Sequence, residues 1–221
     1  MSTAGQIAAN LAVLHARIAA AARESGRDPA AITLIAVSKT HGPPAVAAAL
    51  AAGVTIFGEN RVQEAATKFP LPGATLHIIG PLQTNKAAQA IRLAASIDSL
   101  DREKLADAIA RAADQHGTTP NLLVQVNIGD EPQKAGIPTT EADAFITAQK
   151  RRFGSSLTGL MCIPPAGADP TPYFRRLAAI ADQHGLAVRS MGMSGDFTQA
   201  IACGATHIRV GSAIFGSRPT N

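Results

Sequence analysis

The chain has 221 residues, 46% of them apolar, and a formal charge of +4 at pH 7. That length suits one α/β domain with an ample core, and the basic balance admits an anionic partner. A single Tyr and no Trp argue against base stacking on single-stranded nucleic acid, and two cysteines without a CxxC exclude a disulfide framework.

The first segment reads as an amphipathic helix over about residues 3–25. Ile7, Leu11, Leu14 and Ile18 fall on one helical face, and Thr3 with Gln6 has capping-box spacing. His15 and Arg17 interrupt its apolar run, so it does not read as a secretion signal, and no apolar stretch reaches transmembrane length. A soluble protein of a reducing cytoplasm is the expectation.

Strand-like and helix-like stretches then alternate. The pattern predicts strands at Ile32–Lys39, Thr55–Glu59, Thr75–Ile79, Ser96–Leu100, Asn121–Ile128, Leu157–Ile163, Ala187–Met191 and His207–Val210. Pro43 and Pro44 open an Ala-rich helix that Gly53 closes, and Asp101 is placed to cap a helix that stops before Gly117. Segments ending at Gly154, Gly185 and Gly204 stop the same way. The doublets Arg151-Arg152 and Arg175-Arg176 read as solvated helix faces or partners of helix dipoles.

Eight β/α repeats point to a single (β/α)8 TIM-type barrel over about residues 32–217, preceded by the extra helix. A doubly wound open sheet is the alternative. No linker or composition break marks a second domain, so residues 1–221 read as one.

The chemistry is expected at the carboxyl ends of the strands. The apolar run Ile32–Val37 leads to Lys39, whose stem in an apolar wall would let the amine attack an aldehyde or ketone. Near the ends of the last two strands lie Met191-Gly192-Met193-Ser194-Gly195-Asp196 and Arg209-Val210-Gly211-Ser212. Glycines that admit backbone amides, hydroxyl donors and a helix start suit a phosphate there. Lysine and phosphate anchor on one face suggest Schiff-base chemistry, with a phosphorylated sugar or with pyridoxal 5'-phosphate (PLP). Arg209, two residues before Gly211, points the same way along its strand. An Arg at a pyridine nitrogen hydrogen-bonds it without protonating it and leaves the ring a poorer electron sink than an Asp partner would.

Other patterns carry less. There is no P-loop, no GxGxxG and no zinc-ligand spacing among the six histidines. His77 and His207 read as hydrogen-bonded strand residues, Cys162 as a small core residue, and Lys134 as a loop lysine within reach of the site. Asp98 and Glu59 are possible partners behind it.

The segments AVSKT (Ala36–Thr40), FGENRVQE (Phe57–Glu64), HIIGPLQTNK (His77–Lys86), VNIGDEPQKAG (Val126–Gly136), GLMCIP (Gly159–Pro164), SMGMSGD (Ser190–Asp196) and IRVGSAIFGSR (Ile208–Arg218) follow one another to the C-terminus. With them the chain resembles the pyridoxal phosphate homeostasis protein family, which shares the barrel of the alanine racemase N-terminal domain. The resemblance implies PLP held as an aldimine on Lys39, with Arg209 at the pyridine nitrogen. It implies Ser194, Gly211 and Ser212 around the phosphate, and Asn60 beside the cofactor. Gly195 stands where many members carry an acidic residue, and His41 where Lys is frequent; neither is expected among the cofactor contacts.

By the same resemblance the protein is expected to be a monomeric, non-catalytic keeper of PLP, with PLP-dependent apoenzymes as recipients; the composition, the lack of a long apolar stretch and the histidine spacing add the expectation of no nucleic-acid, membrane or metal partner. The alternative is a PLP-dependent amino-acid racemase or a Schiff-base phosphosugar lyase. Racemisation by the alanine racemase route needs a tyrosine base from a further domain. The one tyrosine here, Tyr173, follows the sixth expected strand.

Overall fold

The computed structural model describes residues 2–216. The strands are β1 (Thr33–Val37), β2 (Ile56–Glu59), β3 (Thr75–Ile78), β4 (Ser96–Leu100), β5 (Asn121–Asn127), β6 (Ile137–Pro138), β7 (Leu157–Cys162), β8 (Val188–Ser190) and β9 (His207–Val210). The helices are α1 (Ala4–Glu24), α2 (Pro43–Ala51), α3 (Val62–Ala65), α4 (Ala87–Leu93), α5 (Glu103–His116), α6 (Ala142–Phe153), α7 (Thr171–Gln183), α8 (Phe197–Ala202) and α9 (Ser212–Phe215).

Every pairing is parallel, and β1 joins both β2 and β9 while β4 joins β5, so eight strands close into a TIM-type barrel. The ninth, β6, pairs only with the carboxyl end of β5, at Val126↔Ile137 and Asn127↔Pro138. Two residues ending in proline leave no periodicity, which is why the sequence pattern does not reveal it.

Strand register separates two layers. Ala36, Phe57, Leu76, Ile78, Ile97, Leu122, Val124, Leu160, Ile208 and Val210 are buried in the layer between barrel and helices. The registered partners Ile35↔Arg209, Val37↔Gly58↔His77 and His77↔Ser96 face the lumen. The lumen is therefore unusually polar. His77 Nδ1 lies 3.2 Å from Asp98, which also accepts from Ser96 Oγ at 2.5 Å. The rings of His77 and His207 stack 6.4 Å apart, and His207 Nδ1 lies 2.9 Å from Thr206 Oγ1.

Helix α1 buries Ile7, Leu11, Leu14 and Ile18 as expected. Its capping box is half formed: Thr3 accepts from the Gln6 amide, but the Gln6 side chain turns to Asn10. Asp101 does not cap α5. Arg102 occupies that position without a side-chain cap, and Asp101 instead binds the Arg102 guanidinium. Arg152 and Arg176 are also more than solvated faces: Arg152 bridges Glu103 and Asp107, and Arg176 reaches Asp130 and Thr139.

Candidate functional site

The strand before Lys39 ends at Val37, two residues earlier than the sequence suggests. Ser38–His41 forms a β-turn closed by the His41 amide on Ser38 O, 3.1 Å. Lys39 and Thr40 are its central residues, and Thr40 has φ +68°. A type II turn demands a positive φ at that position, where glycine is the usual residue and a β-branched one is strained. Lys39 itself is half-buried and faces a cavity at the carboxyl end of the barrel.

That cavity has a volume of about 560 Å3. Lys39, Asn60, Ser194, Arg209, Gly211 and Ser212 all line it. Arg209 enters from the lumen face of β9 and is 4% exposed. It donates to Ser190 Oγ and to Cys162 O, both at 2.8 Å, and pairs with no carboxylate among the described residues. Burial holds its pKa below the usual guanidinium value. Ser212 Oγ donates to Ser194 Oγ at 3.1 Å, joining the loops after β8 and β9. A Cβ on Gly211 would lie 3.0 Å from Val37 O, so the two strand ends approach closely only because that side chain is missing.

Other residues take places the sequence does not assign. Lys134 lines the cavity, paired with Glu131 at 2.6 Å and donating to Pro164 O at 3.0 Å. His41 and Gly195 line it too. The His41 ring stacks on Phe215 at 4.8 Å, and burial lowers its pKa. Ile163 and Met193 are exposed apolar groups of the lining. Cys162 is a core residue whose thiol burial pushes up to about 12. Tyr173 packs against the core and does not line the cavity. Among the described residues no group of three or more His, Cys, Asp or Glu is placed to hold a metal. No described helix is long and apolar enough to cross a membrane.

The family model for the alanine racemase N-terminal domain matches residues 6–219. The fold is thus that of this barrel class. The chain is 38% identical to the pyridoxal phosphate homeostasis protein of Pseudomonas aeruginosa over 223 residues, 96% of each chain. It is 39% identical to the protein of that name from Escherichia coli K12, covering 96% of this chain and 97% of the other. The chain belongs to the pyridoxal phosphate homeostasis protein family. PipY of Synechococcus elongatus, solved with PLP bound, superposes with a TM-score of 0.81 at 36% identity, covering 95% of this chain and all of that one. Alanine racemase of Streptomyces lavendulae shares the fold at a TM-score of 0.72 and 18% identity, over 98% of this chain and 58% of the racemase.

Proposed function

We propose that this protein binds pyridoxal 5'-phosphate in the barrel cavity and serves PLP and amino/keto acid homeostasis as a keeper of the cofactor, without turnover. Arg209 carries this reading. A buried guanidinium with two of its N–H groups satisfied by Ser190 and Cys162, and no carboxylate partner among the described residues, suits a neutral acceptor such as a pyridine nitrogen. When bound, PLP supplies an aldehyde that condenses with a primary amine, and a ring that withdraws electrons from what is attached to it.

Lys39 offers that amine from the turn after β1, the strand beside β9. The hydroxyls of Ser194 and Ser212, with the close approach at Gly211, suit the phosphate, and Asn60 flanks the ring. Arg209 holds its own proton, so it orients the ring nitrogen without protonating it and leaves the electron sink weak. Lys134 is engaged with Glu131 and Pro164, and the His41 ring lies stacked on Phe215. No tyrosine or carboxylate is among the described lining residues. These features favour holding the cofactor over racemising an amino acid with it. PLP-dependent apoenzymes are the recipients this role implies.

The test is the visible absorption spectrum of the purified protein with PLP, followed by borohydride trapping and peptide mass mapping. A pyridoxyl group on Lys39 is expected. A folded protein that traps none would return a phosphosugar ligand to first place. Alanine racemisation abolished by Lys39→Ala would replace the keeper with an enzyme.

A further inference from the structure

Behind the Lys39 turn, on the outer face of the barrel, lies a buried ionic cluster that, among the described residues, hydrogen-bonds to no cavity-lining side chain. Register places Glu59 on the outer face of β2, opposite Ile78 rather than in the lumen. Glu59 is fully buried and accepts from Ser38 Oγ at 2.6 Å and from Lys68 Nζ at 2.7 Å, both on Oε1. Lys68, 8% exposed, also donates to Ser38 O at 2.8 Å and to Glu64 Oε1 at 2.7 Å. The same Glu64 oxygen accepts the Thr40 amide at 2.5 Å. Burial raises the Glu59 carboxyl above its ordinary range. For Glu64 burial also pushes upward, but the hydrogen bonds from Lys68 and Thr40 outweigh it and hold the carboxyl low.

The cluster grips both neighbours of Lys39 and leaves Lys39 itself alone. Ser38 is fixed through its hydroxyl, its carbonyl and its amide, which donates to Gly58 O at 3.1 Å. Thr40 is fixed through its amide in the left-handed conformation that a threonine does not choose unaided. A buried charge cluster costs desolvation that apolar packing would avoid, so it is weak evidence for stability alone. Here its donors and acceptors converge on one strained turn.

We propose that Lys68 and Glu64 are positioning residues for Lys39, clamping the Ser38–His41 turn from outside the barrel so that the amine is held in the cavity; the part this plays in cofactor binding rests on the function proposed above. Glu59 anchors the clamp by holding Lys68 against the turn. The strained Thr40 backbone is the element the clamp maintains, and its release would let Lys39 swing toward water.

The experiment uses Glu64→Ala, a change at a half-buried helix position where alanine is well tolerated, and Glu64→Gln, which keeps an acceptor for the Thr40 amide. In the unliganded protein, acetic anhydride labelling with peptide mass mapping gives the reactivity of Lys39 relative to exposed Lys104. In the loaded protein, the decay of the visible band on dilution gives the rate of PLP loss. Glu64→Ala should raise both by about tenfold, the effect of one charge-assisted hydrogen bond, with Glu64→Gln recovering to within about twofold. Lys68→Met, paired with Glu59→Gln to avoid a stranded buried charge, should reproduce the Glu64→Ala result. Folded Glu64→Ala protein with both rates at wild-type values would overturn the clamp. Wild-type protein that traps no pyridoxyl on Lys39 would overturn the cofactor reading instead, while the labelling ratio still decides on the clamp.

Discussion

Arg209 donates to Ser190 Oγ across 2.8 Å, from the lumen face of β9 to the end of β8. With the second bond to Cys162 O, this fixes the guanidinium plane at the cavity floor without neutralising its charge. A hydrogen bond to a charged buried donor contributes about 1.5–3 kcal/mol, so the orientation is firm.

Replacing that donor tests its electronic role. Arg209→Glu puts a carboxylate where a guanidinium stood, and a carboxylate can share a proton with a ring nitrogen. The loaded variant should transaminate alanine faster than wild type, at a cost of roughly 2–4 kcal/mol in stability from the stranded Ser190 and Cys162 groups. The measurement is pyruvate released per loaded protein, alongside urea unfolding. An unchanged transamination background would remove the electronic role.

The serines separate phosphate from ring. Ser194→Ala with Ser212→Ala should weaken PLP binding by about tenfold or more, two hydroxyl donors to an anion being lost. Binding of pyridoxal, which lacks the phosphate, should stay within about twofold of wild type by that same accounting. Equal losses for both ligands, read by fluorescence titration, would place the phosphate elsewhere.

Gly211 makes a steric prediction. In Gly211→Ala the added methyl meets Val37 O at 3.0 Å, and a backbone carbonyl held in a barrel strand yields little. The variant should lose about 1–2 kcal/mol of stability and bind PLP more weakly, since the carboxyl ends of β1 and β9 must part. A melting curve and affinity both identical to wild type would show that the strands separate freely.

His207, in the lumen, sets an acid limit. Burial first, and then the neighbouring His77, lower the His207 pKa from 6.5 to about 4; Arg209 adds to this and Asp98 opposes it. The unfolded chain takes up that proton near 6.5, the folded one only near 4. Between those values the unfolded state binds more protons, so this contribution is complete above pH 6.5 and lost as pH falls toward 4. The loss is roughly 3 kcal/mol. Urea midpoints at pH 7 and pH 4.5 should diverge less in His207→Gln than in wild type. Identical divergence would assign the acid sensitivity to other groups.

Most of the barrel is legible in the sequence because parallel strands buried on both faces read as short apolar runs. All eight barrel strands fall within a few residues of their expected bounds. The turn after β1 is not legible, since Ser38-Lys39-Thr40-His41 contains no glycine or asparagine to announce a positive φ. The six cofactor candidates share one cavity because β/α loops gather at one end of the barrel, which spacing alone conveys. The clamp is hidden for the opposite reason. Glu64 and Lys68 have the spacing of an ordinary surface helix pair, and only the fold turns them onto Ser38 and Thr40, at least 24 residues away.

The short β6 has a bearing on how a ligand enters and leaves. The segment carrying Lys134 departs from β5 and is stitched back to it by β6, while Asn127 exchanges hydrogen bonds with Glu131 at 2.8 and 3.2 Å. Gly136, at φ +118°, lies so close to Asn127 that a Cβ would sit 2.5 Å from its nitrogen. The rim on this flank is a parapet rather than a hinged door. A ligand crossing the rim on this side therefore passes over a fixed sill, whatever the other loops do.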